Sequence, residues 1–393
     1  MKEWKECTIA DLGEVVGGAT PSTRKPENYE NGDIAWITPK DLSTFNGRFI
    51  FRGERNITEI GLNSCSTRLL PPNTVLFSSR APIGYVAIAA KEMCTNQGFK
   101  SVIPNADTDY MFLYYLLKYN RDSIENMGSG TTFKEVSGNT MKSIKVRVPV
   151  DKKEQQRIGA ILSAIDDRIE QNTAINENLE QQAQALFKAW FVDFEPFGGI
   201  MPDDWRMGTL SEICGYSKDK VDIDDLTLDI YYSTENMQPN RQGAVQATTL
   251  PTIKQTTAFK KGDVLISNIR PYFKKILYCF SDCGCSTDVL CFVPNKTNYS
   301  AFLYCALYAD KFFDYMVAGS KGTKMPRGDK QQIMIYPICI PSAEYIEKFN
   351  QAVTPMLETV YANRIEANNL ANLRDTLLPK LMNGEIDVSE VKI

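Results

Sequence analysis

The sequence predicts two tandem α/β domains of the α+β type, related by internal duplication, that are separated and joined by two long helices forming an antiparallel coiled coil. At 393 residues the chain is long enough for at least two domains. A series of sequence features occurs twice in the same order, and each series ends in a long segment with helical apolar periodicity. The predicted boundaries are 1–150 for the first domain, 151–196 for the first helix, 197–341 for the second domain, and 342–393 for the second helix and tail.

The duplication is visible as pairs of similar segments. Each half contains a tryptophan shortly before a threonine, a buried strand after a turn, a short helix, a glycine-rich loop, and an extended run that ends in proline. The pairs are 4–9 with 205–210, 75–78 with 264–267, 112–115 with 302–305, 128–131 with 319–323, and 144–149 with 336–341. Arg168-Ile169-Glu170 also recurs as Arg364-Ile365-Glu366. A repeated order of this kind is typical of a duplicated domain.

The two segments that follow the domains are predicted to be helices that pair with each other. In the first, one series of residues recurs every seven positions and a second series follows it four residues later, as in a coiled-coil seam. An isolated apolar stripe favours a helix that faces its own core, but two related stripes favour an antiparallel pair. Asn172 in the seam is expected to fix the register at some cost in stability. The predicted seam residues are Ile158, Leu162, Ile165, Ile169, Asn172, Leu179 and Leu186 of the first helix, and Leu370, Leu377 and Leu381 of the second.

Catalytic and metal-binding groups are scarce in this sequence. The chain has no histidine, which excludes Ser-His, Cys-His and His-metal chemistry. It also has no glycine-rich cofactor loop, no Asn-Pro-Pro-Tyr-like motif of a methyltransferase, and no phosphate-binding P-loop. Cys279, Cys283, Cys285 and Cys291 form a cluster, but their spacing lacks a Cys-x-x-Cys pair, which favours buried thiols over a zinc site. We therefore expect no catalytic residue, no metal and no cofactor on this chain.

The sequence is typical of a cytoplasmic protein. The N-terminus lacks the apolar run of a signal peptide, and no stretch of about eighteen apolar residues occurs. The formal net charge is −4, but the acids are concentrated in the two helical segments, and the predicted domains carry a slight excess of Lys and Arg. A nucleic-acid face is therefore expected on the domains rather than on the helices.

Three kinds of segment in the predicted domains offer groups that suit DNA. Arg80 and Arg270 follow the two equivalent buried strands, where an arginine can pair with guanine, although a structural salt bridge is an equal alternative. Asn96 and Gln97 carry amides suited to adenine edges, or they form a turn. Two loops combine backbone amides, hydroxyls and cations and suit phosphate, or they are simply exposed loops. The candidate DNA-binding residues are Ser78, Ser79, Arg80, Asn96, Gln97, Ser129, Thr131, Lys134, Asn268, Arg270, Lys274, Lys321, Lys324 and Arg327.

Four segments resemble the specificity subunits of type I restriction-modification enzymes. They are residues 78–86 (Ser-Ser-Arg-Ala-Pro-Ile-Gly-Tyr-Val), Thr95–Phe99, Pro149 followed by Glu154–Ile158, and Leu377–Gly384. The resemblance covers the whole chain, including its duplicated layout. The second helix departs from the pattern, because Ala343–Lys348 stands where a Glu-Gln-Gln-Arg opening is expected.

The resemblance implies a function and a set of partners. Each domain would be a target-recognition domain that reads one half of a bipartite site in double-stranded DNA, and the paired helices would fix the gap. Members of the family bind two methyltransferase subunits, which modify adenine with S-adenosylmethionine, and translocating restriction subunits, which use ATP. None of these cofactors is expected to bind this chain, and no membrane is implied. A self-sufficient DNA-binding regulator with two reading heads is the alternative function, and a scaffold that binds no nucleic acid is a third.

Overall fold

The computed structural model describes residues 3–130 and 134–391, and the chain divides into two compact units. Unit 1 comprises Met1–Glu170 and Asn368–Ile393, and unit 2 comprises Gln171–Ala367. Two helices have 40 residues each, and each of them has one part in unit 1 and the other part in unit 2. Each compact unit therefore combines a globular part with parts of both long helices, which the sequence-based boundaries treat as separate segments.

Unit 1 begins with short strands and helices and ends in a long helix. Its strands are β1 (Trp4–Thr8), β2 (Gly13–Gly17), β3 (Ile34–Ile37), β4 (Phe49–Ile50), β5 (Arg55–Ile57), β6 (Val75–Ser79), β7 (Ile83–Ala89), β8 (Cys94–Thr95), β9 (Lys100–Pro104) and β10 (Lys145–Pro149). Its helices are α1 (Ile9–Leu12), α2 (Pro39–Ser43), α3 (Glu59–Asn63), α4 (Tyr110–Tyr119), α5 (Arg121–Asn126), α6 (Gly138–Ser143) and the first part of α7 (Lys152–Phe191). Residues 368–382 of the second long helix also belong to this unit.

The central sheet of unit 1 has five strands in the order β2-β9-β6-β7-β4. Every residue of β6 is buried, because the strand lies inside the sheet and both of its faces are covered. A three-stranded sheet, β5-β3-β8, and a two-stranded pair, β1-β10, complete the unit. The pair β1-β10 joins the first strand of the domain to the strand that leads into α7, so it closes the globular part at the base of the long helix.

Unit 2 repeats this plan with a smaller set of elements. Its strands are β11 (Arg206–Thr209), β12 (Cys214–Tyr216), β13 (Lys220–Asp222), β14 (Tyr231–Tyr232), β15 (Gln255–Phe259), β16 (Val264–Ser267), β17 (Ile276–Tyr278), β18 (Cys283–Cys285), β19 (Val289–Pro294) and β20 (Pro337–Ile340). Its helices are α8 (Ser300–Tyr308), α9 (Asp310–Ala318), α10 (Lys330–Met334) and the first part of α11 (Ala343–Met382), together with residues 171–191 of α7. The sheets have the orders β12-β19-β16-β17, β13-β15-β18-β14 and β11-β20.

The duplication extends to individual hydrogen bonds. The sheet order β2-β9-β6-β7 of unit 1 recurs as β12-β19-β16-β17 in unit 2, and β1-β10 recurs as β11-β20. Thr8 and Thr209 both form capping boxes, with Asp11 and Glu212 respectively. Equivalent backbone bonds run from Ile9 to Ile144 (3.0 Å) and from Leu210 to Tyr336 (2.9 Å), and from Asn105 to Leu12 (3.0 Å) and from Asn295 to Ile213 (2.8 Å). The predicted fold class, two related mixed domains with two long helices, is confirmed.

The two long helices run antiparallel where they meet inside each unit. In unit 1, Arg157 of α7 bonds the carbonyl of Val391 at 3.0 Å, and Asp166 meets Arg374 at 2.7 Å. In unit 2, Asn172 bonds Glu366 at 2.9 Å, and Asn363 bonds Asn176 at 2.9 Å. Residue numbers in one partner fall as those in the other rise, which is the antiparallel arrangement that the two apolar stripes predicted.

Candidate nucleic-acid interface

In unit 1 the buried strand β6 ends at a closed loop on the surface. Ser129 and Glu135 exchange two backbone hydrogen bonds, at 3.1 and 2.9 Å, and the Val136 N–H donates to the carbonyl of Ser79 at 2.9 Å. Arg80 forms a β-bridge with Glu135 directly after β6. We call Arg80–Pro82, Asn96–Gly98 and the described residues of 129–135, namely 129–130 and 134–135, the unit 1 strand-end cluster. Thr131 lies outside the described residues.

Two of the residues predicted to contact DNA near this cluster are buried, which corrects that prediction. Ser78 and Ser79 are fully buried. The Ser78 hydroxyl donates to the carbonyl of Pro82 at 2.8 Å and accepts from the Tyr85 N–H, and the Ser79 hydroxyl donates to the carbonyl of Gly98 at 3.1 Å. Both hydroxyls are therefore occupied in holding the strand end and present no group to a ligand in this structure.

The remaining predicted residues of unit 1 differ in exposure and in whether their side chains already have hydrogen-bond partners. The side-chain oxygen Oδ1 of Asn96 accepts from the Gly98 N–H at 2.8 Å, which is the turn that the sequence offered as the alternative to adenine contact. Gln97 is exposed, and its side-chain oxygen accepts from the hydroxyl of Thr20. Ser129 and Lys134 are exposed at either side of the loop. Gln97, Ser129 and Lys134 thus keep surface positions near the strand end.

Arg80 faces a carboxylate that it shares with a lysine. Its guanidinium lies 3.6 Å from the Glu135 carboxylate, and the Lys100 ammonium lies 3.3 Å from the other oxygen of that group. Partly exposed pairs of this kind are worth about 0–1 kcal/mol. Arg80 can therefore exchange Glu135 for a stronger acceptor at little cost, so the salt bridge does not remove it as a candidate.

Unit 2 closes the same loop at the end of β16. Lys321 and Arg327 exchange two backbone hydrogen bonds, at 2.9 and 3.0 Å, and the Gly328 N–H approaches the carbonyl of Asn268 at 3.4 Å. Ile269 forms the β-bridge with Arg327 that Arg80 forms with Glu135 in unit 1. We call Asn268–Lys274 with the loop 321–327 the unit 2 strand-end cluster.

The position of this β-bridge shows that Arg80 and Arg270 do not occupy equivalent positions after their strands, which corrects the expectation from the sequence. Ile269 takes the place of Arg80, and Arg270 takes the place of Ala81, which precedes a proline in the same way. Both Ala81 and Arg270 have a φ of 51°, in the left-handed region. The two arginines therefore lie at different backbone positions relative to the strand end. Arg270 stands one residue further along the chain than the position equivalent to Arg80.

Most predicted cations of the unit 2 cluster are paired with acids. Lys321 bonds Asp329 at 2.6 Å, Arg327 bonds Asp288 at 2.9 Å, and Lys274 bonds Asp310 at 2.6 Å. Lys324 is exposed and has no acidic partner among the described residues.

Two further groups of the cluster are buried. The Nε of Arg270 is buried without a hydrogen-bond partner among the described residues. Asn268 is buried as well, and its side-chain oxygen has no hydrogen-bond partner among the described residues.

The segment after Arg270 is fixed by contacts that the sequence did not indicate. The Arg241 guanidinium bonds the Asp310 carboxylate at 2.5 Å and lies over the Tyr308 ring at 4.6 Å. Hydrogen bonds from Arg241 and Lys274 hold the pKa of Asp310 at about 2, below its usual value. The Arg241 N–H also donates to the carbonyl of Lys274 at 3.0 Å. Arg241 is therefore the residue that ties this segment to helices α8 and α9.

The predicted seam residues of unit 1 lie in the core shared by the helices and the globular part. Ile158 and Leu162 of α7 and Leu381 of α11 are buried in one cluster, with Leu377 packed against it. Ile165, Ile169 and Leu370 are half-buried.

The centre of the unit 1 contact is polar. The buried Asp166 accepts from the Tyr115 hydroxyl at 2.6 Å and from Arg374 at 2.7 Å.

In unit 2 the seam is built from asparagines and a second buried carboxylate. Asn172 is fully buried and bonds Glu366, while Leu179 and Leu186 are half-buried. Glu180 accepts from Arg364 at 2.7 Å and from the Tyr308 hydroxyl at 2.9 Å. Burial raises the pKa of Glu180, and its two donors offset this only in part.

The cysteine cluster is a group of core thiols. Cys279, Cys283, Cys285 and Cys291 are all buried in one apolar cluster of unit 2. Burial raises the pKa of Cys285 to about 12, so its thiol stays protonated at neutral pH. Across residues 3–130 and 134–391, no group of three or more Cys, Asp or Glu side chains is arranged to hold a metal ion. No helix in that part of the chain is long and apolar enough to cross a membrane.

A family model of DNA specificity domains matches the chain twice. The family model described as "Type I restriction modification DNA specificity domain" matches residues 1–181 and again residues 202–374. The chain therefore belongs to the family of type I restriction-modification specificity subunits.

Individual relatives agree with this assignment. The chain is 34% identical to the type I restriction enzyme MjaIX specificity subunit of Methanocaldococcus jannaschii, over 99% of this chain and 95% of that protein. It is 23% identical to the type I restriction enzyme HindI specificity subunit of Haemophilus influenzae, over 98% and 100% of the two chains. The crystal structure of a type I restriction-modification S subunit from M. genitalium has the same fold, with a TM-score of 0.65 at 18% identity over 97% of this chain and 96% of that one.

Proposed function

We propose that this chain is the DNA-recognition subunit of a type I restriction-modification complex and that it has no catalytic activity of its own. Each unit reads one half of a bipartite site in double-stranded DNA through its strand-end cluster. The helices α7 and α11 set the spacing of the two halves and dock two methyltransferase subunits. Restriction subunits that translocate DNA join the same complex.

One observation carries the proposal: the same closed loop stands at the end of the same buried strand in both units, but its side chains differ. Backbone bonds between Ser129 and Glu135 recur between Lys321 and Arg327, while the side chains change from serine and glutamate to lysine and arginine. A constant scaffold with variable exposed groups is what two different base sequences require. This supports two related reading surfaces with different targets.

The distribution of charge supports the same assignment. Exposed cations such as Lys134 and Lys324 can neutralise phosphates, and the acid-paired Lys321 and Arg327 can exchange their partners at low cost. Phosphate contacts would position each loop, and neighbouring side chains would specify bases.

The test is methylation mapping in a host that lacks its own adenine methylation. The chain is expressed together with a type I methyltransferase subunit that assembles with it, and methylated positions are located by sequencing of native DNA. We expect one bipartite sequence to be modified with both proteins present and none with either alone. Methyl transfer by the purified chain alone would contradict the proposal, and so would modification independent of the chain.

Point variants then assign the half-sites to the units. Arg80→Ala is expected to relax or weaken one half-site and leave the other unchanged. Arg68→Ala is the matched control, because Arg68 is an exposed unit 1 arginine in a surface pair with Glu14 outside the strand-end cluster. Tight specific binding by the chain without any partner would instead favour the two-headed regulator.

A further inference from the structure

Two aromatic side chains stand exposed on the unit 2 strand-end cluster. Tyr272 and Phe273 lie in the connection between β16 and β17, with 49% and 37% of their surfaces exposed. Their ring centroids are 4.8 Å apart and the planes are inclined by 57°. The equivalent connection of unit 1, Arg80–Pro82, has three residues and no aromatic side chain. The aromatic pair is thus an addition specific to unit 2.

Hydrogen bonds hold the backbone of the connection that carries the two rings. Arg270 and Lys274, on either side of the pair, both have left-handed backbones, with φ of 51° and 52°. Such conformations persist in non-glycine residues only where surrounding contacts enforce them. Here the Phe273 carbonyl accepts from the Asn240 N–H at 2.8 Å and the Lys274 carbonyl from the Arg241 N–H at 3.0 Å. A side chain on a backbone that is already held loses less entropy on contact with a ligand than one on a mobile loop.

The cations beside the pair are engaged in holding the connection. Lys274 and Arg241 both bond Asp310, and the Lys275 ammonium donates to the carbonyl of Thr234 at 2.5 Å. Arg270 precedes the pair, and its Nε is buried without a hydrogen-bond partner among the described residues. What the tip offers outward is therefore mainly the surface of two aromatic side chains, of which Tyr272 also carries a hydroxyl. The ring surfaces fit an apolar group of DNA as their complement.

We propose that Tyr272 and Phe273 contact the 5-methyl group of a thymine in the half-site read by unit 2, and that Arg241 is their positioning residue. This inference rests on the proposed function. The thymine methyl is the apolar group that the major groove displays, and aromatic side chains contact it. Apolar side chains can also insert between bases, which unstacks and kinks the duplex. A contact with the methyl group needs no such deformation of the DNA, so the surface contact is the simpler one.

The experiment removes the methyl group and the rings separately. The full chain, assembled with its methyltransferase subunits, is titrated by fluorescence anisotropy with duplexes of the mapped site in which each thymine of the unit 2 half-site is replaced by deoxyuridine. With the natural chain, one replacement should weaken binding about fourfold, the value of one buried methyl-sized group. With Tyr272→Ala and with Phe273→Ala, binding to the thymine duplex should weaken. Replacement of thymine by deoxyuridine should then cause no further loss of affinity.

Controls separate this inference from the function on which it rests. Phe51→Ala removes an exposed ring of unit 1, 65% of whose surface is accessible, and should keep the fourfold effect of deoxyuridine. Arg241→Ala should reduce that effect while binding to the unit 1 half-site is retained, as expected of a positioning residue. Specific binding that is indifferent to every thymine methyl overturns the inference alone. Binding without any sequence preference overturns the proposed function. Increased fluorescence of 2-aminopurine at a unit 2 base step, lost in Tyr272→Ala, would indicate insertion and also overturn the methyl contact.

Discussion

Replacing Asp166 by alanine should destabilise unit 1 far more than the same change at its neighbour Asp167. The Asp166 carboxylate is 6% exposed and accepts from the buried Tyr115 hydroxyl and from Arg374. The Asp167 side chain is 57% exposed and bonds Arg48, which keeps Glu170 as a second carboxylate partner. The two residues share the same helix, the same side chain and nearly the same position along α7. They differ in burial and in which hydrogen-bonding groups lose their partner when the carboxylate is removed.

The magnitude follows from the groups left behind. In Asp166→Ala the Tyr115 hydroxyl becomes a buried donor without a partner, which costs about 1–3 kcal/mol. Arg374 loses its buried partner, but its side chain is 20% exposed and still bonds Asp375, so its share is the smaller one. Breaking a buried pair typically costs about 3–5 kcal/mol. We therefore expect about 3 kcal/mol for Asp166→Ala, at the low end of that range, and less than about 1 kcal/mol for Asp167→Ala.

Urea unfolding of the two variants measures this difference, and hydrogen exchange locates it. Exchange should accelerate in peptides of α4 and of the first part of α7, while peptides of β16 and β19 in unit 2 keep their protection. Tyr115→Phe removes only the hydroxyl and should cost about 1 kcal/mol. If Asp166→Ala and Asp167→Ala are equally stable, or if protection falls first in unit 2, the buried carboxylate does not stabilise the helix contact as argued.

Three other outcomes are expected. Lys324→Ala should weaken binding to all DNA sequences alike and reduce the slope of log affinity against log salt by about one, as measured by anisotropy at several ionic strengths. The pKa of Asp310 is lowered from 3.8 to about 2, so its ionised form stabilises unit 2 above that range. This stabilisation should be lost as the pH falls from about 4 to about 2, and the difference in unfolding free energy between natural chain and Asp310→Asn should vanish over that interval. Insertion of four residues near Asn172, with a matching insertion in α11, adds about 6 Å to the helices and should lengthen the unread gap by about two base pairs in methylation mapping, with both half-sites unchanged.

The repeated layout was predictable because its signals are local. The strand β16 is a run of four buried residues after a turn, and β10 and β20 are alternating runs that contain or precede a proline. Each pattern is contained in fewer than about ten residues, so it survives even where the two halves share little identity. The order of such patterns, compared between halves, predicted the duplication and both long helices.

The direction of individual side chains was not predictable in the same way. The sequence suggests that Ser78 and Ser79 follow a strand, but β6 continues through Ser79 and is buried on both faces. A strand covered on both sides has no alternation between apolar and polar residues that would reveal an exposed side. The two serines were therefore assigned to the surface, although their hydroxyls bond the neighbouring backbone inside the fold.

The buried ionic contacts had no local signal at all. Asp166 and Arg374 are separated by 208 residues in the chain, and Glu180 and Arg364 by 184. Within a helical stripe, an acid at a seam position looks like a solvated residue until its partner is known. Tyr272 and Phe273 had a visible signal, two aromatics between an Arg-Pro and a Lys-Lys pair, but aromatic residues usually indicate a core. Their exposure in the structure, 49% for Tyr272 and 37% for Phe273, shows that they face outward.

The contrast between the two strand-end clusters explains how one scaffold can serve two targets. Each loop is closed by bonds between backbone atoms, which any residue except proline can make. Glu135 of unit 1 and Arg327 of unit 2 occupy the same position with opposite charges, and both loops remain closed. Side chains at these positions can therefore change without loss of the loop geometry, and a change in one unit leaves the hydrogen bonds of the other intact. If the clusters contact bases, the two half-sites are then free to diverge independently, because the closure that positions each cluster does not depend on the residues that would read the DNA.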